Sequence, residues 1–109
     1  MTKYKKKKDA VGNFAVYEIV IGSKVFKIGK ADFDRVTHSS ASPTRIHQQI
    51  QKLSLKYTES NVFFRYLKIM FNITTAEAVE VERFFLLKYT EKNGTPPEGN
   101  SKSFKNDKI

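Results

Sequence analysis

Hydrophobic residues crowd the stretch Phe14 to Ile21, FAVYEIVI, stop at Gly22-Ser23, and resume at Lys24-Val25-Phe26-Lys27-Ile28. Two runs rich in β-branched and aromatic residues, separated by a pair containing glycine, predict a β-hairpin. Alternation puts Ala15, Tyr17, Ile19 and Ile21 on one face and Phe14, Val16, Glu18 and Val20 on the other. Both faces are largely apolar, so the strand pair should be central and covered on both sides. Few large apolar residues follow between Gly29 and Ala41, and the run His38-Ser39-Ser40-Ala41-Ser42 predicts an ordered surface loop.

Helical spacing then takes over. Ser42 can cap a helix, Pro43 suits its first position, and Ile46, Ile50, Leu53 and Tyr57 recur on one face, predicting a helix at about 43–56. Asn61 to Met70, NVFFRYLKIM, alternates well enough for a third strand, although an apolar run of this length also suits a helix. Thr74 and Glu77 have capping-box spacing, and the helix they open should reach about Lys92, where Asn93-Gly94 supplies a left-handed terminus. Pro96, Pro97 and Gly99 make the remaining tail irregular. The order β-β-α-β-α predicts an α+β domain, a small three-stranded antiparallel sheet flanked by helices.

The whole chain has 109 residues, enough for one core and too few for two domains. Cysteine is absent and histidine occurs twice, which excludes a disulfide framework, a thiolate nucleophile and a cysteine or all-histidine zinc site. No apolar run is long enough to span a membrane, and the basic start is not followed by a signal-peptide apolar region, so a soluble chain with no membrane segment is expected. Lys and Arg total 20 against 11 Asp and Glu, a net charge of +9, which favours polyanionic partners, nucleic acid first among them. Lys3, Lys5, Lys6, Lys7 and Lys8 supply five of those charges. Residues 1–13 thus read as a basic flexible arm before a domain at 14–109, the arm being either a phosphate-gripping segment or a solvated remnant.

One acid breaks the pattern of the last helix. Ala78, Val81, Phe85, Leu86 and Tyr89 form a broad apolar arc, and Glu82 falls inside it. A carboxylate in such a place needs a cation, a metal or several hydrogen bonds, so Glu82 is either part of a structural ion pair or a site residue. On the first helix Arg45, Gln49 and Lys52 line one flank of the buried face and His47 the other. Arg45 opposes the helix dipole, leaving it suited to a phosphate or carboxylate, or to a plain solvated flank. His47 reads as a boundary histidine or a general base.

Ala15-Val16-Tyr17, followed ten residues on by Lys27-Ile28-Gly29-Lys30-Ala31, resembles the paired strand motifs of the GIY-YIG nuclease family. That family continues with an arginine-bearing helix, a third strand, a helix carrying one glutamate in an E-x-x-x-[LI] setting, and a Pro- or Asn-containing segment. Here Glu82-Arg83-Phe84-Phe85-Leu86 and Pro96-Pro97-Glu98-Gly99-Asn100 fill the last two places, and the resemblance spans about 14–104. Ala15-Val16 stands for Gly-Ile, and Lys27 stands for the second motif's tyrosine. The segments GKADFDRVTHSS, PTRIHQQIQKL and PEGNSKSF also resemble C-terminal nuclease modules of bacterial polymorphic and contact-dependent toxins.

The resemblance implies a metal-dependent endonuclease acting on nucleic acid, with DNA favoured over RNA. Glu82 would hold one Mg²⁺ or Mn²⁺, Tyr17 help deprotonate the water, Arg45 bind the phosphate and Lys27 ease charge beside the tyrosine. Arg35 competes with Arg45 for the arginine's role, Arg45 lying on the helix the family uses. Lys30, Arg35, His47 and Asn100 would contact nucleic acid. A toxin module would be delivered into a target bacterial cell, act in its cytoplasm and have an immunity protein as partner. The rivals are a noncatalytic nucleic-acid-binding domain with a degenerate version of this fold, and a basic interaction module whose likeness to the family is accidental.

Overall fold

The computed structural model describes residues 10–34 and 43–100. The lysine run, Arg35, the loop at 35–42 with its Ser42 cap, and 101–109 lie outside them. Five elements follow in the order β1 (Val11–Ile21), β2 (Lys24–Asp32), α1 (Pro43–Lys56), β3 (Val62–Thr74) and α2 (Thr75–Asn93). The strands form one antiparallel sheet in the order β2-β1-β3, giving an α+β fold. β1 is central because its side chains are apolar on both faces, and Phe14, Ala15, Val16, Tyr17, Ile19 and Val20 are all buried.

Gly22 opens the two-residue hairpin turn with φ 67°, a positive value that a two-residue hairpin demands and glycine adopts without strain. Beyond the turn Val20 pairs with Val25 but Ile19 with Lys27, so Phe26 is an extra residue in β2. That bulge keeps Lys27 on the face of Ile19. Two further register shifts interrupt the β1 and β3 ladder, one between Val16 and Tyr17 and one between Gly12 and Phe14. At the second, Asn72 takes φ 57° and its N–H donates to Asn13 Oδ1 at 3.2 Å. β1 starts three residues before Phe14, and β3 runs four beyond Met70, because Val11 and Gly12 pair with Thr74 and Ile73.

The two sheet faces carry separate cores. Phe14, Val16, Ile28 and Met70 meet Ala78, Val81, Phe85, Leu86 and Tyr89 of α2, the arc expected from its periodicity. Tyr17, Ile19 and Ala31 meet Ile46, Ile50 and Leu53 of α1, with Phe64 and Tyr66 alongside. Thr74 and Glu77 complete a reciprocal capping box at the start of α2, and Gly94, at φ 82°, ends it by donating its N–H to Thr90 O. No helix of the described residues is long and apolar enough to cross a membrane.

Candidate functional site

Tyr17 lies at the middle of β1 on the α1 face and is 1% exposed. Its cross-strand neighbour on β2 is Gly29. A Cβ at position 29 would stand 2.6 Å from the phenolic oxygen, so only glycine lets the ring lie against β2 there. Lys27 shares this face two residues earlier and donates from Nζ to Gln49 Oε1 at 3.2 Å. The Gln49 side chain also acts on the Tyr17 hydroxyl, favouring its ionised form. Gln49 therefore joins a buried phenol to a half-buried ammonium.

Two charges from the helices act on both groups. Arg45, exposed in the first turn of α1, favours the phenolate and disfavours the ammonium, whereas Glu82, half-buried on α2, does the reverse. Burial outweighs them all at Tyr17 and pushes its pKa up to about 12; Gln49 and Arg45 work against the rise and Glu82 adds to it. Burial likewise lowers the pKa of Lys27, with Glu82 opposing and Arg45 assisting. At neutral pH the phenol holds its proton firmly, and Arg45 is a cation that opposes this.

Arg45 and Glu82 thus each act on both Tyr17 and Lys27, across β1, β2, α1 and α2. A cavity of about 490 Å³ lies along α1, lined by Arg45, Gln49, Lys52 and Leu55 among others. It joins two cationic side chains on the flank that periodicity assigned to them. Among the described residues no three His, Cys, Asp or Glu side chains cluster as a metal cage. A divalent cation here would rest on the single Glu82 carboxylate with water and phosphate oxygens, a donor set that suits a hard cation.

The other candidates are dispersed. Lys30 pairs with Val16, on the opposite face from Tyr17, and its Nζ sits 5.3 Å from the Phe14 ring centroid. His47 leaves α1 toward β3, its ring 5.3 Å from that of Phe64 at 87°. Asn100, expected at nucleic acid, is buried against the edge of β2: its Oδ1 accepts from Ile28 N at 2.8 Å and its Nδ2 donates to Ile28 O at 2.9 Å. These two bonds give it a positioning role between Lys27 and Gly29.

Sequence reasoning missed Gln49 as a member of the group. The signal was its place four residues after Arg45 on the same helix flank. Compared with protein-family models, with curated proteins and with solved structures, the chain has no significant match to any of them.

Proposed function

We propose that this domain is a metal-dependent endonuclease, hydrolysing phosphodiester bonds of nucleic acid. The observation that supports the reading is that Arg45 from α1 and Glu82 from α2 each act electrostatically on both Tyr17 of β1 and Lys27 of β2. Phosphodiester hydrolysis calls for a group to take a proton from water, cations on the phosphoryl oxygens and an anchor for a divalent cation. Arg45 and Lys52, which line the α1 cavity, would hold phosphates there. Tyr17 is the proton acceptor, and Gln49 fixes its hydroxyl. Lys27, whose proton burial loosens, lies one hydrogen bond beyond Gln49 and can protonate the leaving oxygen. Mg²⁺ or Mn²⁺ bound at Glu82 would supply Lewis acidity and cancel the negative charge that adds to burial in holding the proton on Tyr17.

The preference for DNA over RNA, and the setting of a delivered toxin that acts in the target cytoplasm and is neutralised by an immunity protein, rest on the resemblance alone. One observation favours a noncatalytic nucleic-acid-binding domain instead: with a pKa of about 12 the phenol of Tyr17 is a poor base at neutral pH. Incubation of supercoiled plasmid and of total RNA with the protein, with and without EDTA, tests the choice. The proposal expects EDTA-sensitive cutting. Salt-dependent binding with no cutting under Mg²⁺ or Mn²⁺ would replace it with the binding-only reading.

A further inference from the structure

The opposite face of the hairpin carries a second cavity, of about 450 Å³, between the β1–β2 turn and the last turns of α2. Ile28, Leu67, Phe85 and Tyr89 give it an apolar and aromatic lining. Glu18 enters the same cavity and is only 6% exposed. Arg65 Nε donates to Glu18 Oε2, and Oε1 has no partner among the described residues. Lys24, Lys88 and Lys92, all exposed, complete the lining and surround this acid with positive charge.

An apolar aromatic wall takes the face of a flat ring, a buried carboxylate oxygen takes an N–H, and a cationic rim takes an anion. A nucleotide carries all three complements. Among the common bases guanine fits the acid best, because its N1–H and N2–H₂ are adjacent donors. Adenine and cytosine set a ring acceptor beside their amino group, and uracil or thymine flanks its one N–H with two carbonyls, which a carboxylate would repel.

We infer that this cavity is a nucleotide subsite that takes an unpaired guanine, its donor edge on Glu18, its ring against Phe85 and Tyr89, and its phosphate on Lys24, Lys88 and Lys92. The inference rests on the reading of nucleic acid as this domain's ligand, and it adds a base preference on the face away from Tyr17. A base within a duplex cannot offer its ring face, so the site selects single-stranded or extruded nucleotides.

The test is titration of the ¹⁵N-labelled full chain, free of divalent metal, with GMP, AMP, CMP, UMP, guanosine and inorganic phosphate, followed by amide chemical shifts. GMP should move the amides of Lys24, Val25, Phe85 and Tyr89 at concentrations about tenfold below those needed for the other three nucleotides. Glu18→Gln should erase that preference. The surface pair Lys88→Ala with Lys92→Ala, which leaves the core intact, should weaken all four nucleotides and leave guanosine unchanged. Equal responses to the four nucleotides, the same shifts from inorganic phosphate, or shifts confined to the Tyr17 face would overturn the inference. Because no cleavage is read, a chain that binds GMP here but never cuts sinks the nuclease proposal alone. A chain that cuts but ignores GMP sinks only this inference.

Discussion

The two faces of the sheet are built from alternate residues of the same strand, yet they differ in kind. Against α2 the central strand offers Phe14 and Val16, which pack on Met70, Ala78, Phe85 and Leu86, with the Glu18 and Arg65 pair toward the hairpin end. Against α1 it offers Tyr17, whose hydroxyl meets Gln49 and through it Lys27 in a layer otherwise filled by Ile19, Ile46 and Leu53. An apolar contact contributes stability by removing surface from water, whereas a buried phenol and a half-buried ammonium give some of it back as desolvation. The α2 face therefore supplies most of the apolar packing, while the α1 face buries the polar groups on which Arg45 and, from α2, Glu82 act. A costly polar group kept inside a small domain is where function is to be sought.

Breaking the comparison on its chemical side should produce the largest effect. Glu82→Gln keeps shape and hydrogen bonding and removes the charge that a divalent cation needs. Cleavage should fall by orders of magnitude while the melting temperature moves by no more than a few degrees. A strongly destabilised variant, or one cutting at the parent rate, would mean that Glu82 serves packing rather than reaction. On the other face the pattern should reverse. Met70→Ala removes a buried thioether from the α2 core and should cost about 2–5 kcal/mol in urea unfolding. Cleavage per folded molecule should be unaffected, and a specific loss of activity would show the faces to be coupled.

The smallest effect is set by pH. In the unfolded chain Tyr17 ionises near pH 10, and in the folded one near 12, so between those values the native state binds the extra proton. Stability from this group is present below pH 10 and is lost as pH rises toward 12, by about 2–3 kcal/mol. Lys27 has the opposite sign: its lowered folded pKa makes stability rise with pH up to the unfolded value near 10.5. Urea unfolding of the parent and of Tyr17→Phe from pH 9 to 12 isolates the phenol. Parallel curves would show that Tyr17 is far more accessible to hydroxide and water than its burial implies.

Much of the frame was legible because local signals and tertiary packing agree. The helix predicted at 43–56 is Pro43–Lys56, the capping box at Thr74 and Glu77 is formed, and the arc from Ala78 to Tyr89 covers the sheet. Disagreement falls where long-range pairing overrides composition. Gly12 and Asn13 look like loop residues, yet β1 includes them because the far end of β3 pairs alongside and Asn13 accepts from Asn72. The bulge at Phe26 leaves no trace in the hydrophobic pattern. Within the site, periodicity singled out Glu82 and the Arg45 flank. It could not show that Gln49 bridges Tyr17 and Lys27, since that depends on where β2 sits relative to α1. Asn100 was singled out by the family resemblance and proved to hold backbone, because a free carboxamide and a clamping one look alike in a sequence.

That clamp sets an order in time. Ile28 and Asn100 stand 72 residues apart, and the backbone N–H and C=O of Ile28 are satisfied only when the carboxamide arrives. During synthesis the hairpin, both helices and the third strand all leave the ribosome before Asn100 does. The outward backbone groups of the edge strand, between Lys27 and Gly29, are therefore the last in the sheet to find their protein partner.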